Sequence, residues 1–552
     1  MTPRCGDRYL SFPELDALCE ALAAAQPGWV RCLTVGHSRE GRPIRLLVLG
    51  RNDGDQDLRP GFWLDGGTHA AEWTGVIAAL YAACRWVEGI GSEPRTAAWF
   101  ERHTVYVLPC MSPDGYQAMF QGEPYLRSVM RPPREGDVRS GMDPGDIDGD
   151  GVTRWMRWRD PAGTHVPDAE VPGFMRPRRI EDDPSEAYFV ATEGRFVAWD
   201  GQRWTEAPLR YGHDLNRNFP AHWAPFSMFG MDSGAFALSE PESRAVVDAF
   251  AARPRIGAAL TNHTWTGALL TQPYRADSPL EGADIELMEA LGAQAVEGTG
   301  YRVMRVHPDF TYDASQPIVG VWADSIATVF GVPGYTLELW DPYAAAGAEI
   351  QDPAKFFRKP DPAVNRVLIR HFARVPGAMA PWRPFQHPQL GPVEIGGLDV
   401  QRTVRNPPEN LLMAECERGY QVAERLRLAL PRVEARATVR EGLVELTLEN
   451  LGALPTSALR RGEKIGAAPA VSASIELGEG LSLLAGASEQ ALGHLDGWGN
   501  ALGPFVNSPL YPHLPARGHR ATARWWVRGQ GELRLRWSGG RGGAGELVVQ
   551  VA

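Results

Sequence analysis

Between residues 60 and 110 the sequence reads strand, helix, strand, and this order limits the fold more than any other feature. PGFWLDGG is a short apolar run shut by two glycines, and HTVYVLPC is a second, shut by a proline. Between them VIAALYAACRWVE repeats apolar residues at three- and four-residue spacing, the period of a helix with a buried face. Short apolar runs without polar alternation are buried on both faces, as in a parallel sheet whose crossovers are helices. The same texture begins with a helix over FPELDALCEALAAAQ and a strand over IRLLVLG. It resumes in the strands IGAALTNHT and GYTLELW and in helical runs around 280–296 and 362–374. The expected class is α/β, with a mixed, largely parallel sheet flanked by helices, and functional residues on loops at the strand ends.

Two stretches depart from that texture. From about 121 to 210 the chain is rich in Pro, Arg, Asp and Trp, with little apolar periodicity, and reads as an insertion over the α/β core. Within it YFVATEGRFVAWDG suggests a hairpin turning at Glu193-Gly194. VPGAMAPWRPFQHPQLGP reads as a Pro-rich connector, and ENLLMAECERGYQVAERLRLAL as the helix that closes the first domain. After Pro431 alternation takes over: Val444, Leu446 and Leu448 alternate with Glu445 and Thr447, and Leu533, Leu535 and Trp537 with Arg534 and Arg536. The expected organisation is an α/β domain over residues 1–430 and a β-sandwich over 431–552.

A net charge of −11 argues against a general nucleic-acid binder, which needs a basic face. With 44% hydrophobic and 22% charged residues the chain packs a core, and no apolar run reaches the roughly 20 residues of a membrane helix. The six cysteines show no close pairing, as in reduced, buried thiols. Together with an N-terminus lacking an apolar stretch, this points to the cytoplasm.

A hydrolytic zinc site uses imidazole and carboxylate ligands and keeps one position open. HxxE places both ligand types on one turn, and it occurs twice, at His37–Glu40 and His69–Glu72; among 13 histidines about one match arises by chance. His69 follows FWLDGG at a strand end, where α/β sites form, whereas His37 lies in a polar turn, GHSREGRPI. His263 in TNHT also ends a strand-like run and is the candidate third ligand. HDLNRNFP sets Asn216 beside Arg217, a pairing of amide and planar guanidinium suited to a carboxylate. In GYTLELWDP, Glu338 lies on the strand face opposite Leu337 and Leu339, as a structural carboxylate or a general base.

In this order HAAEW, SPDGY, HDLNRNF, TNHTW, YDAS and YTLELWD resemble the zinc carboxypeptidase family (carboxypeptidase A/B-like) from about residue 8 to 430. GHSREGRPI matches the family's early turn, which accounts for the other HxxE. The resemblance implies one zinc ion on His69, Glu72 and His263, with Asp214 orienting His69. It implies Glu338 as general base on a zinc-activated water, and Arg127, with Arg131 in reserve, stabilising the oxyanion. Asn216 and Arg217 would bind the C-terminal carboxylate of a peptide, and Tyr312 would close over the terminal residue. Departures include Ala71, where the family often has Arg, and Ser112 in place of Asn. The spacing from Tyr312 to Glu338 is also altered, which leaves the preferred terminal residue open. Same-fold alternatives are a deacylase of N-acyl amino acids or a peptidase of γ-glutamyl cell-wall linkages, and a different class is a non-catalytic binding protein. Separately, Asp146, Asp148 and Asp150 in DIDGDG follow a calcium-loop pattern, but Arg157 occupies the twelfth position, where a Glu is expected. The oligomeric state has no signature.

Overall fold

A computed structural model of the chain describes residues 4–132, 139–228, 230–311, 317–350, 352, 355–356, 359–501 and 518–552. Its centre is an eight-stranded sheet: β1 (Val30–His37), β2 (Pro43–Leu49), β3 (Gly61–Asp65), β4 (Thr104–Leu108), β5 (Ile256–Thr264), β6 (Ala268–Thr271), β7 (Arg302–Arg305) and β8 (Gly334–Leu339). The spatial order is β1-β2-β4-β3-β5-β8-β6-β7. The four central strands β4, β3, β5 and β8 run parallel, while β1, β2 and β6 join through antiparallel pairs. All residues of β3, β4 and β5 are buried, as in strands covered on both faces.

Helix α1 (Phe12–Ala25) starts at Ser11, whose backbone N–H donates to Glu14 at 2.8 Å. The crossover α2 (Trp73–Ser92) buries fifteen residues because it lies between the sheet and α3 (Glu409–Leu428). Trp86 and Tyr81 of α2 donate to Glu424 and Glu417 of α3, both at 2.7 Å. A Cβ on Gly419 would stand 3.0 Å from Leu339, so glycine lets α3 pass close to β8.

The insertion and the Pro-rich stretch correct the sequence reading. Residues 375–392 do not form a plain connector: Met379–His387 and Gly391–Leu398 pair as strands of a six-stranded sheet, together with Trp155–Arg159, Tyr188–Thr192, His165–Pro167 and Met175–Pro177. Met379–His387 is an edge strand, where Pro381 and Pro384 break no interior ladder. The expected hairpin is also absent: Tyr188–Thr192 pairs with Trp155–Arg159, whereas Gly194–Val197 pairs with Gly141–Pro144. Buried Glu193 separates the two by accepting backbone N–H groups from Ile147, Asp148 and Arg154.

Beyond Pro431 two four-stranded antiparallel sheets pack face to face around Val444, Leu446, Trp525, Leu533 and Leu535. The six cysteines are free thiols, five of them buried. No helix among the described residues is long and apolar enough to cross a membrane.

Candidate metal centre

The loop that leaves β3 is pressed against its neighbours. A Cβ on Gly66 would meet the carbonyl oxygen of Gly75 at 2.6 Å, and Gly67 has a φ of +66° with Cys110 Cα 3.0 Å from where a Cβ would be. The glycine pair is what lets the chain turn there. It delivers His69 over the end of the sheet and sets Glu72 immediately before α2. His263 comes from the end of β5, one strand over, and Asp214 from the turn before the short helix Leu215–Arg217. All four side chains are buried.

Their ring nitrogens and carboxylate oxygens converge. His69 Nδ1 lies 2.8 Å from Glu72 Oε1, His263 Nδ1 lies 2.9 Å from Glu72 Oε2, and the two Nδ1 atoms are 3.1 Å apart. On the far side of the ring, His69 Nε2 is 3.1 Å from Asp214 Oδ1. Asp214 accepting from Nε2–H makes His69 Nδ1 a lone-pair donor, aimed at a carboxylate that also offers only lone pairs. Such a set is repulsive unless a cation lies between its members, and two imidazoles with one carboxylate are a usual zinc donor set. His69, Glu72 and His263 therefore fit a metal ion, with one donor atom from each inside 4.8 Å of the others.

Around this centre the charges are strongly biased. Burial raises the Asp214 carboxyl, but Arg127, His69 and Arg217 outweigh it and hold Asp214 well below the usual carboxylate range. Burial likewise acts to discharge Arg127, yet Asp214, Tyr125 and Glu72 keep its guanidinium more firmly charged than usual. Arg127 Nε donates to Asp214 Oδ2 at 3.0 Å, and its Nη1 is 3.6 Å from Glu72. Glu338 is the registered partner of His263 across the parallel β5–β8 pair, so both side chains emerge on one face of the sheet. Burial, helped by Glu72, pushes the Glu338 carboxyl up to about 8 against the pull of His263 and Arg127. A carboxyl poised near neutrality can both accept and return a proton.

Asn216 and Arg217 lie beside Asp214. The Asn216 carbonyl oxygen accepts from Trp322 N–H at 3.0 Å, which leaves its amide N–H groups to serve as donors. Arg217 donates to the Asn216 backbone oxygen and packs over the Phe226 ring at 5.0 Å.

Other sequence candidates separate from the centre. Arg131 donates to Glu240 at 2.9 Å and Asp232 at 3.1 Å. His37 and Glu40 are exposed, and the turn that holds them is clamped by Asp114 of SPDGY, which accepts from Ser38 at 2.6 Å. Tyr312 lies outside the described residues. Asp146, Asp148 and Asp150 are brought together, but they accept from backbone N–H groups of their own loop, and Asp150 also pairs with Arg154. Arg157, at the twelfth position, pairs with Glu394 and stacks on Tyr188 and Trp382.

Two neighbours of the centre escaped the sequence reading. Asp65 ends β3, fully buried, and accepts from Trp63 and Trp322 at 2.7 and 2.8 Å; burial raises its carboxyl to about 6. The segment Gln401–Asn406 docks on the metal loop, with Gln401 and Asn406 each donating to the Ala71 carbonyl at 2.8 Å. It brings Arg405 into electrostatic contact with Glu72 and Arg127. Asp65 was readable as a lone acid in an apolar strand; Arg405, more than 300 residues from Ala71, left no local signal.

Fold and site define a mixed α/β protein with a two-histidine, one-carboxylate centre at the ends of its parallel strands. The chain belongs to the zinc carboxypeptidase family, whose model matches residues 15–152 and 188–358. The gap falls inside the insertion. A second family model, a domain of unknown function, matches 427–550. Among curated proteins, carboxypeptidase A2 of Mus musculus is 32% identical over 136 residues, 25% of this chain and 31% of its own length. Carboxypeptidase A1 of Bos taurus is 29% identical over 108 residues, 20% of this chain and 25% of its own length. An inactive metallocarboxypeptidase, ecm14 of Talaromyces marneffei, is 32% identical over 113 residues, covering 20% of this chain and 19% of its own length. The chain thus matches about a third or less of these relatives. Solved structures that align include carboxypeptidase A of Helicoverpa armigera, at 20% identity and TM-score 0.40 over 67% of this chain and 73% of that one. Murein-tripeptide amidase MpaA of Escherichia coli O157 aligns at 14% identity and TM-score 0.26, over 62% of this chain and 97% of its own.

Proposed function

We propose that this protein is a zinc metallocarboxypeptidase that hydrolyses the last peptide bond of substrates with a free C-terminal carboxylate. The observation that carries the reading is the convergence of three metal-ligand atoms, from His69, Glu72 and His263, on one point beside the Glu338 carboxyl. Zinc held there would supply Lewis-acid polarisation of the scissile carbonyl and make water a competent nucleophile near neutral pH. The rest falls to the chain. Asn216 and Arg217 hold the terminal carboxylate and so place the last peptide bond over the centre. Glu338, ionised when a cation offsets the neighbouring Glu72 charge, takes a proton from the attacking water and, with burial favouring its protonated form, returns it to the departing amine. Arg127, fixed by Asp214, meets the negative charge that develops on the carbonyl oxygen. Asp214 holds the His69 ring in the tautomer that ligates.

The test is hydrolysis of N-blocked dipeptides by zinc-loaded protein, with Glu338→Gln beside it. The variant should keep its zinc and lose roughly 10²–10⁴-fold in kcat, the range of a general base. A Glu338→Gln protein as active as its parent would remove the proposed base, and the reading with it.

A further inference from the structure

Arg127, Arg131 and Arg402 near the metal centre are held by carboxylates of the chain, and Arg405 differs from them. Arg127 is held by Asp214 and Glu72, Arg131 by Asp232 and Glu240, and Arg402 by Asp399. Arg405 has no carboxylate within ion-pair distance among the described residues. It is half-buried, its guanidinium lies over the Tyr125 ring at 4.4 Å, and Arg127 and Glu72 are in electrostatic contact with it. Its position is firmly built, because Gln401 and Asn406 on either side both donate to the Ala71 carbonyl, between the two ligands of the metal loop. Burial, aided by repulsion from Arg127, makes its charge harder to hold than usual. A guanidinium placed like this, with no anion of its own, is a vacancy for one.

The approach direction says which part of a substrate would supply the anion. Asn216 and Arg217 approach the centre by way of Asp214 and Trp322, on the side assigned above to the terminal carboxylate. Arg405 approaches from the Ala71 and Tyr125 side, within electrostatic reach of Arg127, which is assigned above to the carbonyl oxygen. Beyond Tyr125 there is room: a cavity of about 270 Å³ lined by Glu123, Tyr125, Trp158, Phe189, Trp204 and Arg210 opens into the insertion. Its two rim segments lead straight to the centre, Tyr125 to Arg127 and Arg210 to Asp214.

We propose that Arg405 forms a carboxylate-recognising subsite for the residue that donates the scissile carbonyl, so that preferred substrates carry an acidic group there. This rests on the proposed carboxypeptidase reading and names its substrate class. The anion has two possible sources with the same chemistry: the side chain of an α-linked glutamate, or the free α-carboxylate of a γ-linked glutamyl residue.

Calorimetric binding to zinc-loaded Glu338→Gln separates these sources without relying on turnover. Four ligands of matched size are compared: an α-glutamyl dipeptide, its glutaminyl isostere, a γ-glutamyl dipeptide, and that compound with its α-carboxylate amidated. At least one acidic ligand should bind about tenfold more tightly than its neutral counterpart, the value of one charge-assisted hydrogen bond. Adding Arg405→Gln should shrink that gap to below about twofold. Arg405→Lys, which keeps the charge, should retain part of the gap, and so distinguishes recognition from a folding defect. Equal binding of both acidic and neutral pairs, a gap indifferent to Arg405→Gln, or no binding of any of the four at millimolar concentration would each overturn the subsite. Hydrolysis of C-terminally free peptides by the zinc-loaded parent protein decides the broader reading separately. A parent that binds with the acidic preference but cleaves nothing keeps the subsite and loses the peptidase.

Discussion

Strand β5 has a ring of oxygen or nitrogen acceptors at each end. Where it begins, Arg541, in the turn Gly540–Gly542 between the last two strands, is buried, 2% exposed, and donates to the carbonyls of Pro254 and Ile256 at 2.7 Å, Phe330 at 2.8 Å, Ala467 at 3.2 Å and Ser457 at 3.3 Å. Where it ends, His263 meets His69 and Glu72, another inward-facing set of polar atoms suited to a cation. At the first ring the cation is part of the chain; at the second it must come from outside. The difference is informative because both rings are buried, where unmatched acceptors are costly. The docking of the C-terminal strands is complete in itself. The metal centre is complete only with a ligand, so its stability and the hydrolysis proposed for it depend on the same ion.

The largest effect should come from breaking the open ring. His263→Ala removes a ligand from the end of β5, and should take stoichiometric zinc and all measurable hydrolysis with it, while the far sheet stays folded. Metal analysis alongside circular dichroism checks this; a variant that still holds zinc at the parent's affinity would exclude His263 from the donor set. Breaking the closed ring should do the reverse. Arg541→Met keeps much of the volume but strands five carbonyls, and should cost about 3–5 kcal/mol of unfolding free energy. Zinc content and specific activity of the folded fraction should not change. Urea unfolding followed at the tryptophans reads the loss, and a cost below about 1 kcal/mol would mean that water replaces the guanidinium without penalty.

The two rings also differ in how much of them the sequence disclosed. His69, Glu72 and His263 were legible because each follows an apolar run, and a strand end in a parallel sheet is where side chains leave the core. Glu338 stood out as an acid between leucines, and the alternation of Val444, Leu446 and Leu448 announced the sandwich. Arg541 sits in the glycine-rich GGRGGAG, which has no periodicity and looks like a flexible turn. Its partners lie on segments more than 70 residues away, so nothing local marks them. Arg405 was hidden for the same reason. The strands at 379–398 were obscured by prolines, which signal breaks unless the strand is at an edge, and edge position is a property of the assembled sheet. Periodicity reports what one segment does with its own neighbours; it is silent on contacts that the topology alone creates.

A smaller effect, in pH, distinguishes the open ring from the closed one without removing any residue. In the metal-free protein, burial lifts Glu338 from its ordinary 4.5 to about 8, so over that interval the folded chain holds a proton that the unfolded chain has released. Stability from this group is fully present below about pH 4.5 and is lost as pH rises toward 8, with a slope of at most about 1.4 kcal/mol per pH unit. The side chain is partly open to solvent, so the observed slope should be a fraction of that limit. Asp65, raised to about 6, adds a fall of the same sign at lower pH, which makes the window above pH 6 the one that isolates Glu338. Zinc in the centre offsets the Glu72 charge and favours ionised Glu338, so zinc-loaded protein should show a flatter profile there. Urea midpoints of chelator-treated and zinc-loaded protein between about pH 6.5 and 8 measure the contrast. Chelator-treated Glu338→Gln, which has nothing to titrate, should follow the flat profile. If it slopes as steeply as the chelator-treated parent, the proton belongs to another group, and the pairing of an incomplete ring with a neighbouring base loses its electrostatic support.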